Sequence, residues 1–243
     1  TVSTGNFPAE YGRKLGGVVE VTTAKDIEQG LHGGVDLAGG SFGTAGGAVS
    51  ASYGWATSEV SVGISAARTN RYLDPTVEEN VSNRGSLGGV TIGYQDRPTE
   101  RDRVRGAWHH RETSFLVPNE RLQQAAGQRQ ERAGREDSAQ TAWTHVLSRM
   151  VFNATASVQR LSATLQSNAD STPIVASQDR GFTRGYVNAT LAVDAGRHQL
   201  KVGGDAVWAP VRERLEYRIA DASFFEPGTA SSFSFDERRT DRE

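Results

Sequence analysis

The sequence contains no cysteine among its 243 residues, which excludes a disulfide framework and a thiolate metal site. It also lacks any run of eighteen apolar residues, and this excludes a membrane-crossing helix. A membrane β-barrel stays possible, because barrel strands alternate apolar and polar residues and average out as hydrophilic. The formal net charge is only −2, so charge gives no reason to expect nucleic acid as a partner.

Signatures of catalysis and cofactor binding are absent as well. The sequence has no GxGxxG fingerprint and no lysine after a Walker-type glycine run, and its one GxSxG match, at 39–43, is not followed by a predicted helix as a nucleophile elbow requires. The glycine-rich stretch GGSFGTAGG at 39–47 lies between two alternating segments rather than before a helix, so it predicts a hairpin rather than a phosphate cradle. We therefore expect neither a cofactor nor enzymatic activity.

Histidines are the remaining candidate metal ligands. His109 and His110 are neighbours on a predicted strand, where they would point to opposite faces and could not chelate one ion together. His145 could sit across a sheet from one of them, which keeps a metal site open without favouring it. The sequence predicts polar sheet-surface or lumen histidines and no metal site.

Alternation with period two is the main structural signal. The stretch VSVGISA at 60–66 places valines and isoleucine on one face and small residues on the other, as expected for a half-buried strand. The pattern predicts an opening strand at 18–23 and further strands at roughly 30–40, 44–55, 58–68, 86–95, 102–114, 138–147, 150–164, 180–193 and 197–212. Several match the 9–11 tilted residues that cross a bilayer.

The connections between these strands alternate in length from the second onward. Short ones are predicted at 56–57, 96–101, 148–149 and 194–196, and long ones at 69–85, 115–137 and 165–179. Outer-membrane barrels combine short periplasmic turns with long outer loops, whereas a soluble Greek-key sandwich has no reason to alternate in this way. Trp55 and Tyr94 enter short connections, which is typical of a membrane interface and equally of ordinary sheet aromatics.

The opening segment carries a family resemblance. PAEYG at 8–12 and GGVVEVTT at 16–23 resemble the motif PAEYG…GGVVNVTTK, which closes the plug domain of TonB-dependent outer-membrane receptors; Glu20 stands where the family often has asparagine. Residues 33–54 are similar to the family's first barrel hairpin. VPNERLQQAAGQRQ at 117–130 and GRHQLKVGGDA at 196–206 resemble segments of the Oar-like branch.

The resemblance implies a fold, a location and partners. Residues 1–25 would be the end of a plug domain, and residues 26–243 the first nine or ten strands of an antiparallel, up-and-down transmembrane β-barrel of roughly 22 strands. With no TonB box and no front half of a plug, the chain would be an internal fragment. The implied location is the outer membrane of a Gram-negative-type bacterium. The implied partners are outer-membrane lipid, TonB through the missing N-terminal part, and a small scarce solute of the siderophore, cobalamin, sugar or peptide class.

Candidate site residues fall into three groups. The plug-end motif comprises Pro8, Glu10, Tyr11, Gly12, Gly16 and Gly17. Arg103, Arg105 and His109 alternate on one face of a predicted strand and would face the lumen, where polar residues belong in a barrel. The polar stretch RLQQAAGQRQERAGRED at 121–137 predicts a solvated loop with a helical turn, or part of an outer ligand-gathering surface.

Two alternatives to the transporter stay open at this point. One is an outer-membrane barrel without TonB coupling, such as a porin or an adhesin. The other is a soluble β-rich carbohydrate-binding or structural domain, which would bury its valine-rich faces in a compact core.

Overall fold

The structure is a computed structural model that describes residues 27–242, together with strands β1 (Val2–Ser3) and β2 (Val18–Val19). These two short strands pair antiparallel, with Val2 opposite Val19. The six residues of the plug-end motif lie outside the described residues, as does the remainder of the strand predicted at 18–23.

Ten long strands form a single sheet. They are β3 (Gly30–Gly40), β4 (Thr44–Trp55), β5 (Ser58–Thr69), β6 (Gly85–Thr99), β7 (Asp102–Leu116), β8 (Gln130–Leu147), β9 (Met150–Ser167), β10 (Ile174–Ala195), β11 (His198–Ile219) and β12 (Ser232–Arg242). Each pairs antiparallel with its sequence neighbour, so the order runs from β3 to β12 without a crossover. The sheet is open, with β3 and β12 at its edges. The prediction of an all-β, up-and-down fold is confirmed.

Helical structure is minor. Among the described residues, helix α1 (Arg121–Ala125) and a 3₁₀ turn (Ala222–Phe224) both lie in connections between long strands. Within the described part of the chain, no helix is long and apolar enough to cross a membrane.

The connections sort to the two ends of the sheet. At one end, which we call the turn end, two-residue turns join the strands at 56–57, 100–101, 148–149 and 196–197. At the other end, which we call the loop end, the strands are joined by the turn 41–43 and by the loops 70–84, 117–129, 168–173 and 220–231. The tightest loop-end turn places Phe42 and Gly43 at positive φ (58° and 63°), a conformation that glycine adopts without a steric penalty. The predicted alternation of short and long connections is present.

The sheet has two chemically different faces. Directly opposed residues on antiparallel strands share a face, and following these pairs across the sheet places all four tryptophans of the chain on one face. We call this the tryptophan face; its tryptophans are Trp55, Trp108, Trp143 and Trp208. The opposite face carries Arg103, Arg105 and His109, and we call it the arginine face.

Apolar side chains on the tryptophan face are exposed rather than packed. None of the described hydrophobic residues is buried, and Leu31, Val35 and Ile64 are 76%, 66% and 55% exposed. Apart from three glycines and Pro118, the buried residues among those described are polar: Ser58, Glu59, Asn83, Asn119, Gln128 and Ser171. A soluble sandwich would bury the same apolar positions between two sheets, so the described residues do not form a compact soluble core.

Several predicted boundaries were wrong at the loop end. Strand β8 begins at Gln130 rather than 138, β10 begins at Ile174 rather than 180, and β11 runs on to Ile219. Strand β12 was not predicted at all. The missed part of β8 has charged residues on both faces, so it lacks the apolar–polar alternation from which the other strands were predicted. The missed end of β11 does alternate, with Leu215, Tyr217 and Ile219 on one face and charged residues on the other, and this signal was overlooked.

Candidate functional site

The arginine face of β7 carries the predicted polar residues. Arg103 lies opposite Thr144, Arg105 opposite Ala142 and His109 opposite Ser138, and the apolar Val104 and Trp108 alternate with them on the other face. The three residues therefore share one face of the strand, as expected. That this face lines a lumen remains a prediction.

Neighbouring strands continue the polar character of the arginine face. The Nδ1 atom of His109 lies 3.2 Å from the Oγ1 of Thr91 on β6. Four residues further along β6, the Nε2 of Gln95 donates to the Oε2 of Glu59 at 3.3 Å, and Glu59 is only 8% exposed. Polar side chains are thus held by other polar side chains across the strands, which is the arrangement of a hydrated surface rather than a hydrophobic core.

Histidines do not meet one another in the sheet. His110 lies on the tryptophan face, with its Nδ1 2.7 Å from the Oδ1 of Asp137. The Nδ1 of His145 lies 2.7 Å from the Oδ1 of Asp102 at the turn end, so the suggestion that His145 sits across from His109 or His110 was wrong. Among the described residues, no group of three or more histidine and carboxylate side chains is placed to hold a metal ion.

A network of amide side chains joins the loops at the loop end. Its centre is Asn119, which is 1% exposed. The Nδ2 of Asn119 donates to the backbone oxygen of Gln128 at 2.7 Å and to the Oε1 of Gln124 at 3.1 Å. The Oγ of Ser82, from the preceding loop, donates to the same Gln124 oxygen at 2.7 Å. Loops 70–84 and 117–129 are therefore connected through shared side-chain partners.

The third loop is connected through Gln128 and Asn168. The Oε1 of Gln128 accepts a hydrogen bond from the backbone N–H of Thr172 at 3.0 Å. The Nδ2 of Asn168 donates to the backbone oxygen of Gly127 at 2.9 Å, and its Oδ1 accepts from the N–H of Arg129 at 2.9 Å. Because these amides are both donors and acceptors, a few side chains hold loop 168–173 against loop 117–129.

Asn83 organises the first loop in the same way. It is 2% exposed, and its Oδ1 accepts from the backbone N–H groups of Tyr72 and Leu73 at 3.1 and 2.8 Å. Its Nδ2 donates to the backbone oxygen of Leu73 at 2.6 Å and to the Oδ1 of Asn80 at 2.7 Å. Such side-chain bonds satisfy backbone groups that no β-ladder reaches.

One ion pair links two of these loops at the surface. Arg121 of helix α1 contacts the carboxylate of Glu79. The hydrogen bond from Arg121 holds the pKa of Glu79 below its usual value, and the same carboxylate raises the pKa of Arg121. Both side chains are largely exposed, so the pair contributes to loop position more than to stability.

Loop residues that organise this end of the sheet were missed by sequence reasoning. Asn83, Asn119, Gln128 and Ser171 are buried, although each lies in a connection between strands, and Gln128 lies in the stretch 121–137 for which the sequence predicts a solvated loop. The stretch 121–137, which was predicted to be one loop, contains two elements: its first residues form helix α1, and the residues from Gln130 onward belong to β8. The only signal in the sequence is the density of asparagine and glutamine in these connections, and it has no periodicity that would single out particular residues.

Comparison with known proteins shows a likeness at the level of the fold. No family model matches the chain, and no curated protein sequence matches it significantly. Among solved structures, the chain is similar to the crystal structure of the ferric yersiniabactin uptake receptor FyuA from Yersinia pestis, with a TM-score of 0.52 and 12% identity. The match covers 91% of this chain and 39% of the FyuA chain, so the chain spans well under half of that receptor's length. The ten-stranded open sheet therefore matches part of a β-barrel.

Proposed function

We propose that this chain forms part of the barrel of a TonB-dependent outer-membrane receptor that binds and imports a small, scarce solute. One observation carries the proposal: the described residues bury no hydrophobic side chain, yet one face of the sheet exposes a continuous set of apolar side chains. In water that face would be an aggregation hazard. In a bilayer that face is satisfied by lipid, while the hydrogen bonds between neighbouring strands satisfy the backbone of the paired strands.

The length of the apolar set fits a bilayer. On β9, the tryptophan-face positions from Met150 to Val158 are apolar, and Arg160 is the next such position. On β5, Val60 to Ala66 are apolar and Arg68 follows. About 9–11 tilted residues cross the hydrocarbon core, so we call the apolar part of the tryptophan face the apolar band. The charged continuation at the loop end projects beyond the membrane.

The arginine face would then line the lumen. Arg103, Arg105 and His109 would be lumen-facing and, with their polar neighbours, hydrate the solute path. We further propose that residues 1–25 belong to a plug and residues 26–243 to the barrel, and that TonB acts on the plug through parts of the protein outside this chain. The described uptake role of FyuA, ferric yersiniabactin import, supports the receptor class and does not assign the solute.

The membrane orientation can be tested with single cysteines, because the chain contains none. Each position from 60 to 66 on β5 is replaced in turn by cysteine in the full-length protein, spin-labelled and placed in lipid vesicles. Accessibility to oxygen and to a water-soluble nickel chelate should alternate, with Val60, Val62 and Ile64 accessible to oxygen and Ser61 and Ser65 to the chelate. Accessibility of both faces to the chelate would contradict a membrane location.

Transport itself requires a separate measurement. A porin would pass solute by diffusion, whereas a TonB-dependent receptor requires inner-membrane energy to move its plug. Uptake of candidate solutes into cells with and without TonB distinguishes these two functions. Equal uptake in both strains would contradict the receptor proposal and leave the barrel intact.

A further inference from the structure

A trough lined mainly by small side chains runs along the tryptophan face beyond the apolar band. Its floor consists of small side chains on four adjacent strands, β6 to β9: Ser86, Gly88, Ser114, Ala133, Ser162 and Thr164. The trough has a volume of about 530 Å³ and is flanked by His110, Glu112 and Arg135. Val90, a residue of the apolar band, lines its lower end. The trough therefore begins where the apolar band stops.

The trough continues into a second cavity at the loop end. That cavity, of about 700 Å³, is lined by the next tryptophan-face residues along the same strands, Leu116, Glu131 and Gln166. The two spaces adjoin, because the Oγ of Ser114 in the trough donates to the Oε1 of Glu131 in the cavity at 2.7 Å. Together they form one groove, which starts at the apolar band and ends among the loops.

The upper end of the groove is built from preorganised polar groups. Asn70, Asn80, Gln124, Arg84 and Arg129 line it. Gln124 and Arg129 are held by the loop network, since the Nη1 of Arg129 donates to the Oε1 of Gln124 at 3.1 Å and to the backbone oxygen of Gln128 at 2.6 Å. Ser167 also lines this cavity, and its buried Oγ has no hydrogen-bond partner within the described structure.

We propose that this groove binds the saccharide headgroup of a glycolipid in the surrounding membrane leaflet, an inference that rests on the proposed function. Amide, guanidinium and carboxylate groups match the donors and acceptors of sugar hydroxyls. The small side chains of the floor let sugar rings approach the sheet closely. The groove opens on the tryptophan face. Arg103 and Arg105 lie on the arginine face, so the groove is separate from the proposed solute path.

The groove is continuous with the apolar band, and this favours a membrane glycolipid over a free sugar as its ligand. A glycolipid whose acyl chains lie against the band places its headgroup at Val90, where the trough begins. From the row of Val90 and His110 to the row of Leu116 and Glu131 is six residues along β7, which at about 3.3 Å per residue corresponds to roughly 20 Å. The groove thus has room for several sugar rings in succession, and apart from Leu116 its upper end is lined by polar and charged residues.

The proposal can be tested by filling the trough. Ser162→Trp places an indole on its floor, and Thr240→Trp is the matched control, because Thr240 lies on the same face of β12 outside both cavities. Full-length protein is incubated in vesicles of phosphatidylethanolamine and phosphatidylglycerol, with or without rough lipopolysaccharide, and retained glycolipid is measured by native mass spectrometry after mild detergent extraction. We expect Ser162→Trp to lose about tenfold in retention and Thr240→Trp to retain as much as the unmodified protein.

Two further arms separate the explanations. Equal retention by Ser162→Trp and the unmodified protein, with alternating spin-label accessibility on β5 preserved, would overturn the glycolipid site and leave the barrel proposal standing. Loss of that alternation in the unmodified protein would contradict the barrel proposal itself. Binding of the free core oligosaccharide as tightly as the intact glycolipid would also overturn a membrane-lipid occupant. Loss of retention in Gln124→Ala, at the upper end, would support it independently of the indole.

Discussion

Replacing Gly185 should destabilise the sheet through Trp208. The two residues lie directly opposite each other on β10 and β11, and the indole of Trp208 lies so close to the glycine that a Cβ added to Gly185 would overlap its ring atoms. This is an aromatic ring covering a backbone that has no side chain. Gly185→Ala would force the ring away from the strand.

The size of the effect follows from overpacking. Trp208 is 44% exposed, so the ring can move, but only by leaving its contact with β10. Forcing a side chain out of a packed position costs about 1–3 kcal/mol, which corresponds to a change of roughly 5- to 150-fold in the ratio of folded to unfolded protein. Gly204 on β11 provides the matched control, because a Cβ there would meet nothing within 4 Å. Gly204→Ala should be neutral, or stabilising by about 0.5 kcal/mol, because alanine loses less conformational entropy in a strand.

The assay is equilibrium unfolding in urea of full-length protein reconstituted in vesicles, followed by tryptophan fluorescence. A double-mutant cycle isolates the contact: in a Trp208→Ala background, Gly185→Ala should cost much less than it does in the unmodified protein. If Gly185→Ala is equally destabilising in both backgrounds, the ring is not the cause and the reasoning from the opposed pair is refuted.

The other predictions concern the two faces and the loops. Ile64→Arg, in the apolar band, should destabilise the protein in vesicles by about 2–4 kcal/mol, whereas Ser65→Arg on the opposite face should have little effect; equal losses would refute the assignment of faces. Asn119→Ala leaves buried partners unsatisfied, so hydrogen exchange in loops 70–84 and 117–129 should accelerate by an amount corresponding to about 1–3 kcal/mol; unchanged exchange would mean that the amide network is not the link. The pKa of Glu79 is lowered in the folded protein, so its ion pair with Arg121 stabilises the loops at pH values above the usual glutamate pKa and is lost as pH falls through the lowered pKa. Hydrogen exchange in the loops should therefore rise only in that acidic range, and Glu79→Gln should remove this pH dependence.

Sequence reasoning located the strands where one face is apolar. Strands β3 and β4 were predicted at their observed limits, 30–40 and 44–55, and both alternate over their whole length. The missed half of β8 reads QERAGRED, with charges on both faces, and local alternation cannot distinguish such a segment from a loop. What places it in the sheet is pairing with β7 and β9, a non-local interaction that the segment does not encode alone.

The polar loop network was less accessible to prediction for a different reason. Asn119 and Gln128 are buried because three separate loops contact each other at one end of the sheet. Their roles depend on which connections are neighbours, and this follows from strand order rather than from any local motif. By contrast, the shared face of Arg103, Arg105 and His109 was predictable, since a strand's period of two is a local property.

The strands differ in length because some consist of an apolar–polar alternating segment alone, whereas others add a charged segment at the loop end. Strands β3 to β5 have 11 or 12 residues, while β10 and β11 have 22. The uninterrupted apolar positions of β10 on the tryptophan face occupy its turn-end half, from Gly185 to Ala195, and this half alone is comparable to the 9–11 residues that cross a bilayer. If the apolar band crosses a membrane as proposed, the additional length does not serve the crossing. It extends the sheet beyond the apolar band, so the proposed recognition at the loop end would take place on strands, which hold side chains more rigidly than loops of the same length.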